Sequence, residues 1–269
     1  MTASPRVVVH RDAALLAAAT AARLVTAVVD AQAVRGHAHV VITGGGLGIA
    51  TLAALASSKA RDAIDWPSVD IWWGDERFLP AGDPDRNATQ AHRTLLDSVG
   101  VEAARVHEMP AAGDADGATP DAAAAAYAAA LAAVLPVFDV LLLGVGPDGH
   151  VASLFPGHPA TDERDRTVVG VHESPKPPPA RVSLTLPTIN SARQVWLLAA
   201  GAGKAPAVGR AFAQALDTPV SAPGAIPFAI PGDVPLPASR VRGREATVWL
   251  LDQEAATAVP AQLIRPTPR

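Results

Sequence analysis

The chain has no cysteine among its 269 residues. That excludes disulfides, thiolate metal sites and cysteine nucleophiles together. It also lacks any run of lysine or arginine, and with a formal net charge of −4 it presents no footprint for nucleic acid. The densest basic cluster, RVRGR (240–244), reads as a solvated face near a helix end. The longest alanine-rich run, DAAAAAYAAALAAVLP (121–136), is broken by Asp121, Tyr127 and Pro136. It is too short and too weakly apolar to span a bilayer, which takes about 20 strongly apolar residues. The N-terminal MTASPRVVVHRD carries charges where the apolar core of an export signal would sit. A soluble, non-exported, cytoplasmic protein with no membrane partner is expected. HAH (37–39) offers two imidazoles but no third ligand, so no metal is expected, and no G-x-S-x-G elbow supplies a serine nucleophile.

What is present is ordinary for a globular protein: 49% hydrophobic and 18% charged residues. This length buries a substantial core. No composition shift marks a linker, so a single domain over 1–269 is the simpler reading. Apolar runs alternate with helical patterns, which argues for an α/β fold of βαβ units with a mostly parallel sheet and helices on both faces. Helices are expected over 11–33, 47–57, 87–99 (with Asn87 as N-cap), 121–135 and 204–216. Strands are expected over 38–46, 69–78, 137–146 and 194–201, and a last one from 247 that turns into a C-terminal helix by 256. Two proline-dense stretches, 173–181 and 218–237, are expected to be loops, the first a semi-rigid flap.

In open α/β sheets ligands bind beyond the carboxyl ends of the strands. The polar and glycine-rich segments of this chain converge on such ends: Gly44–Gly46, Gly74–Arg77, Gly144–His150 and Gly201–Lys204. TGGGLG (43–48) sets three glycines between a strand and a helix, where free N–H groups and the helix dipole suit a phosphate. No G-K-[ST] closes it, and GAGKA (201–205), with Lys204 at another helix start, lacks the hydroxyl that would hold magnesium. A phosphorylated metabolite therefore fits better than a nucleoside triphosphate. WGDERFLP (73–80) clusters Asp75, Glu76 and Arg77, and an arginine oriented by a neighbouring carboxylate can grip a phosphate.

GVGPDGHVASLFPG (144–157) matches the G-x-G-x-x-G dinucleotide fingerprint but not its context. Only HVASLF separates the last glycine from Pro156, too little for the helix that motif requires. Pro147 and Asp148 also crowd the place of a pyrophosphate, and the acid would repel it. What remains is an Asp–Gly–His turn. His150 titrates near neutrality and can take a proton from water and return it. Asp148 either fixes the imidazole tautomer or orients the loop through its own backbone.

With TGGG (43–46), WWGDERFLP (72–80), GVGPDGHVASLFPG (144–157), SPKPPPARVSLTLPTIN (174–190) and GAGKA (201–205) in this order, the chain resembles the 6-phosphogluconolactonases over nearly all its length. The resemblance implies a Rossmann-like α/β fold and hydrolysis of 6-phospho-D-glucono-1,5-lactone to 6-phosphogluconate in the oxidative pentose phosphate pathway, with no metal or organic cofactor. It implies His150 as general base with Asp148 as its partner. Phosphate and sugar would be held by Gly44, Gly45, Gly46, Arg77, Arg181 and Lys204, with Asp75 and Gly146 in the same pocket. Two alternatives stand beside this. The glucosamine-6-phosphate deaminases share a D-G-H turn but continue it as IAFNEP, where this chain has VASLFP (151–156). A sugar-phosphate-binding regulator without turnover would have no need of the D-x-H pair. A monomer or weak homodimer is expected.

Overall fold

The structure is a computed structural model, described over residues 5–216 and 234–264. In chain order the elements are β1 (Arg6–His10), α1 (Ala13–Arg35), β2 (Ala38–Ile42), α2 (Gly45–Ser57), β3 (Val69–Trp73), β4 (Asp75–Arg77), α3 (Asn87–Thr94) and β5 (Val106–His107). Then follow α4 (Pro120–Val134), β6 (Val140–Gly144), β7 (Val168–Val171), β8 (Arg181–Leu184), α5 (Leu186–Asn190), β9 (Gln194–Ala199), α6 (Ala205–Ala215) and β10 (Ala246–Asp252).

Seven strands form one sheet in the order β1-β10-β9-β6-β2-β3-β5, and every pairing in it is parallel. Every residue of β2 and β3 is buried, as is every residue of β6 before Gly144. Side chains alternate between the two faces of a strand, so these strands are covered on both sides, as expected for an all-parallel sheet. The core between the layers is built on Trp72, Trp73, Trp196, Tyr127 and Phe138, all at most 2% exposed.

The strand order determines where a ligand can enter. From β2 the chain moves outward through β3 to β5, then returns to lay β6 on the other side of β2 and continues outward through β9 and β10. The order reverses between β2 and β6. Connections leave that point in opposite directions and open a crevice at the carboxyl ends of these two strands. The segments that follow them are Gly44–Gly46 and Gly144–His150.

Local chemistry sets the helix ends. Asp12 caps α1 by accepting from Leu15 N, and Gly36, at φ 78°, closes it with its N–H on Gln32 O. Thr119 caps α4 and Pro120 opens it. By length and composition α1 could cross a membrane, a property that its pattern over 11–33 had not suggested. In the fold, however, Leu16, Leu24, Val25 and Val28 are buried, and α1 packs on α2, β2 and β10.

Several elements differ from expectation. The strand expected over 69–78 divides at Gly74: β3 stays in the large sheet, while Asp75–Arg77 pairs antiparallel with β8 in a separate sheet ordered β4-β8-β7. β1, β5, β7 and β8 were not expected as strands. Asn87 is not the N-cap of α3. Arg86 holds that position, and the free N–H groups of Asn87 and Ala88 donate to the Glu76 carboxylate at 2.7 and 2.8 Å. A carboxylate from a distant strand thus does the capping, and α3 ends at Thr94, well short of residue 99. After β10 the described chain makes only 3₁₀ turns, at Ala255–Ala258 and Ala261–Leu263, where a C-terminal helix was expected. Most of the proline-rich stretch 218–237 lies outside the described residues.

Tyr127 links α4 to the central sheet. Its hydroxyl accepts from Trp73 N at 2.9 Å and donates to Trp73 O at 3.3 Å, fully buried. Tyr127→Phe leaves a buried N–H without its partner, which costs about 1–3 kcal/mol. A lower urea midpoint with an unchanged m-value is expected, and an unchanged midpoint would contradict this account of the contact.

Candidate active site

A cavity of about 640 Å³ opens at the switch point. That volume suits a small metabolite. Thr43–Gly48 line it from the β2–α2 turn, Asp75 and Arg77 from β4, Gly144–Gly146 and His150 from the turn after β6, Arg181 from β8, and Lys204 from the start of α6. Five segments far apart in sequence meet here: β2, β3, β6 and β9 deliver their carboxyl ends to one edge of the parallel sheet, and β8 brings Arg181 in through its antiparallel pairing with β4.

The turn after β6 is built around its glycines. Gly149 N donates to Gly146 O and Gly146 N donates to His150 O, each at 2.9 Å, which folds the loop back on itself. A Cβ on Gly146 would lie 2.0 Å from His150 Nδ1 and 2.4 Å from Asp148 Oδ1, so only glycine admits the pair. His150 Nδ1 and Asp148 Oδ1 are 2.5 Å apart. An ionised carboxylate only accepts, so Nδ1 carries the hydrogen and Nε2 keeps its lone pair. Burial, reinforced by the charge of Lys176, lowers the His150 pKa below its ordinary value, with Asp148 and Asp75 opposing. The ring is therefore neutral at pH 7 and able to accept a proton. Burial pushes the Asp148 carboxyl up, but the hydrogen bond and charge of His150 and the ammonium of Lys176 outweigh it and hold Asp148 well below the usual carboxylate range. Phe155 lies against the imidazole with ring centroids 4.7 Å apart.

The opposite wall is cationic. α2 starts at Gly45 with no side-chain cap, so the first N–H groups of the helix are open to an anion. Arg77 and Arg181 are direct partners across the antiparallel β4–β8 pair. Like charges so placed repel, and an anion between them removes the cost. Lys204, half-buried, is brought down to about 8 by burial and then by the charge of Lys176. Asp75 is buried, and its Oδ2 accepts from Ser153 Oγ at 2.7 Å, so its orientation is fixed.

Every site residue expected from the sequence except Asp148 lines this cavity, and Asp148 lies directly behind His150. Two details differ. Arg77 is not oriented by a neighbouring carboxylate: its Nη1 donates to Asp85 O. Glu76, 1% exposed, instead accepts from the N–H groups of Arg77, Asn87 and Ala88, and its carboxyl is pushed up to about 7 by burial against the pull of those bonds and of Arg86. RVRGR is not a free solvated face either, since Arg240 pairs with Asp162 at 2.8 Å and Arg242 donates to the carbonyls of Ser239 and Val241.

Three contributors were not named from the sequence. Lys176 sits in the proline loop, yet its Nζ reaches Asp148 Oδ1 at 3.3 Å. Ser153 is a plain serine in an apolar run. Leu236 is fully buried against the Asp–Gly–His turn: a Cβ on Gly149 would meet its side chain at 2.7 Å, and Ala238 N donates to Gly149 O at 3.1 Å. In retrospect only Lys176, a lone lysine among prolines, stands out.

Residues 11–249 match the family model described as glucosamine-6-phosphate isomerases/6-phosphogluconolactonase. A 6-phosphogluconolactonase of Streptomyces coelicolor is 56% identical, over 99% of both chains. One of Mycobacterium tuberculosis is 44% identical, over 96% of this chain and 100% of that one. Among solved structures, 6-phosphogluconolactonase from Trypanosoma brucei superposes with a TM-score of 0.74 at 27% identity, covering 96% of this chain and 99% of that one.

The geometry makes the tautomer and the titration of His150 depend on Asp148. In Asp148→Asn the carboxylate that raises the imidazole pKa is gone, while burial and Lys176 remain. The His150 midpoint, followed by NMR of ring-labelled histidine, is expected to fall further. A rise would contradict the assignment.

Proposed function

The chain belongs to the family of glucosamine-6-phosphate isomerases and 6-phosphogluconolactonases, and from that membership we infer that it hydrolyses 6-phospho-D-glucono-1,5-lactone to 6-phospho-D-gluconate. The observation that carries the chemistry is the free Nε2 of His150, left basic because Nδ1 is committed to Asp148.

A lactone is already an activated ester and needs no covalent intermediate. Nε2 takes a proton from water, and the resulting hydroxide attacks C1 of the lactone. The tetrahedral oxyanion is stabilised by the cations and open N–H groups of the cavity. The bond from C1 to the ring oxygen then breaks, and the imidazolium returns its proton to that oxygen, leaving a hydroxyl and a carboxylic acid that ionises. Asp148 stays ionised throughout and stabilises the transient imidazolium.

The phosphate lies at the α2 start, against Gly44–Gly46, Arg77 and Lys204, with Arg181 across the strand pair from Arg77. Binding it there holds C1 over His150, so remote binding energy serves the reacting centre. Neither a metal nor an organic cofactor enters this chemistry. We read the chain as one domain working in the cytoplasm.

The test is hydrolysis of lactone generated enzymatically from glucose 6-phosphate, with spontaneous hydrolysis subtracted. The wild type is expected to exceed that background, and His150→Ala to lose about 10²–10⁴-fold in kcat. Since the base must be neutral and its pKa is lowered, the acid limb of kcat/KM is expected below pH 6.5, the ordinary histidine value. A wild-type rate no higher than background would overturn the reading, as would release of ammonia from glucosamine 6-phosphate in its place.

A further inference from the structure

Arg181 lines the cavity, yet most of its guanidinium is bound to the chain's own backbone. Nε donates to Pro178 O at 3.1 Å, and Nη2 donates to Pro177 O at 2.8 Å and Lys176 O at 3.3 Å. Nη1 lies 3.5 Å from Ser153 Oγ. Three successive carbonyls thus converge on one side chain. The loop needs such a partner, because Pro177, Pro178 and Pro179 have no N–H with which to build a ladder of their own. Ser174 closes the other side, donating from Oγ to Lys176 O at 3.0 Å and from N to Pro179 O at 2.9 Å.

The one side chain this strapped loop sends to the catalytic turn is Lys176. Its Nζ donates to Asp148 Oδ1 at 3.3 Å and stands 3.2 Å from His150 Nδ1. The same Asp148 oxygen therefore receives both the imidazole N–H and the ammonium. We propose that Arg181 is a positioning residue: it straps the carbonyls of residues 176–178 so that the Lys176 ammonium is held on the Asp148–His150 pair and keeps that pair poised as a neutral base beside an ionised acid. Lys176 is the group through which Arg181 acts.

The charged groups that face His150 are Asp148 from its own turn, Lys176 from the strapped loop and Asp75 from β4, and Lys204, in the same cavity, feels the charges of Lys176 and Asp148. A positive charge next to the imidazole disfavours its protonated form. Releasing Lys176 must therefore raise the His150 midpoint, whether the lysine is neutralised directly or set free by loss of its strap.

The experiment compares Lys176→Met, Arg181→Lys and the double variant with wild type, following the His150 ring by NMR, with His150→Gln to assign the signal. Lys176→Met is expected to raise the midpoint by about 0.7 pH unit or more, the effect of a unit charge at about 4 Å even with the screening of bulk water. Arg181→Lys keeps a cation but cannot bridge three carbonyls, so it is expected to move the midpoint in the same direction. The double variant is expected to move no further than Lys176→Met alone. The acid limb of kcat/KM for the lactone should follow the same pattern. That kinetic arm rests on the proposed function, while the NMR arm does not, so the two can fail separately. An unmoved midpoint in Lys176→Met overturns the proposal without disturbing the strap. So does Arg181→Lys with an unmoved midpoint and a raised KM, the result for a residue that only grips substrate. Additive shifts in the double variant would also overturn it.

Discussion

The 2.5 Å hydrogen bond between His150 Nδ1 and Asp148 Oδ1 is the interaction on which the site depends. It fixes which nitrogen is basic, and the surroundings then keep that nitrogen unprotonated. Burial alone would leave a neutral but unoriented imidazole, and a carboxylate alone would tend to keep the ring charged. The site has both, with a lysine set against the carboxylate. Two residues apart, Asp148 and His150 can meet only because the chain folds back through Gly146, whose missing side chain leaves the room they occupy.

The larger architecture serves that turn. The reversal of strand order between β2 and β6 puts an uncapped helix start beside the Asp–Gly–His loop, so open N–H groups and a proton acceptor face one cavity from neighbouring strands. The small β4-β8-β7 sheet supplies what the parallel sheet cannot. Its antiparallel register sets Arg77 against Arg181 and Asp75 against Ser183, and Ser153 binds both the Asp75 carboxylate and Ser183 Oγ. The arginine-bearing strand pair and the Asp–Gly–His turn are thereby tied to one another through a buried serine.

Much of this was legible in the sequence. Parallel strands buried on both faces read as continuous apolar runs, and the site residues named from the glycine and charge signals at their ends line the cavity, save Asp148 behind His150, while Arg181 came from the family resemblance. What was not legible arises from partners distant in sequence. Asn87 looks like a helix cap, but Glu76, eleven residues earlier, takes that role. Asp75–Arg77 looks like the end of a strand already begun at Val69, but Gly74 passes the chain to another sheet whose partner lies at Arg181–Leu184. Lys176 and Leu236 sit in proline-rich stretches with no periodicity, and only tertiary contact brings them to the Asp–Gly–His turn.

The central claim is that catalysis requires His150 and Asp148 to share the space that a side chain at residue 146 would fill. Gly146→Ala, assayed for hydrolysis of the lactone alongside its thermal midpoint, tests it most directly. A folded protein that has lost about 10²-fold in kcat/KM is expected, the scale of a displacement of about 1 Å at a reacting group. A folded Gly146→Ala variant that hydrolyses the lactone at the wild-type rate would contradict it.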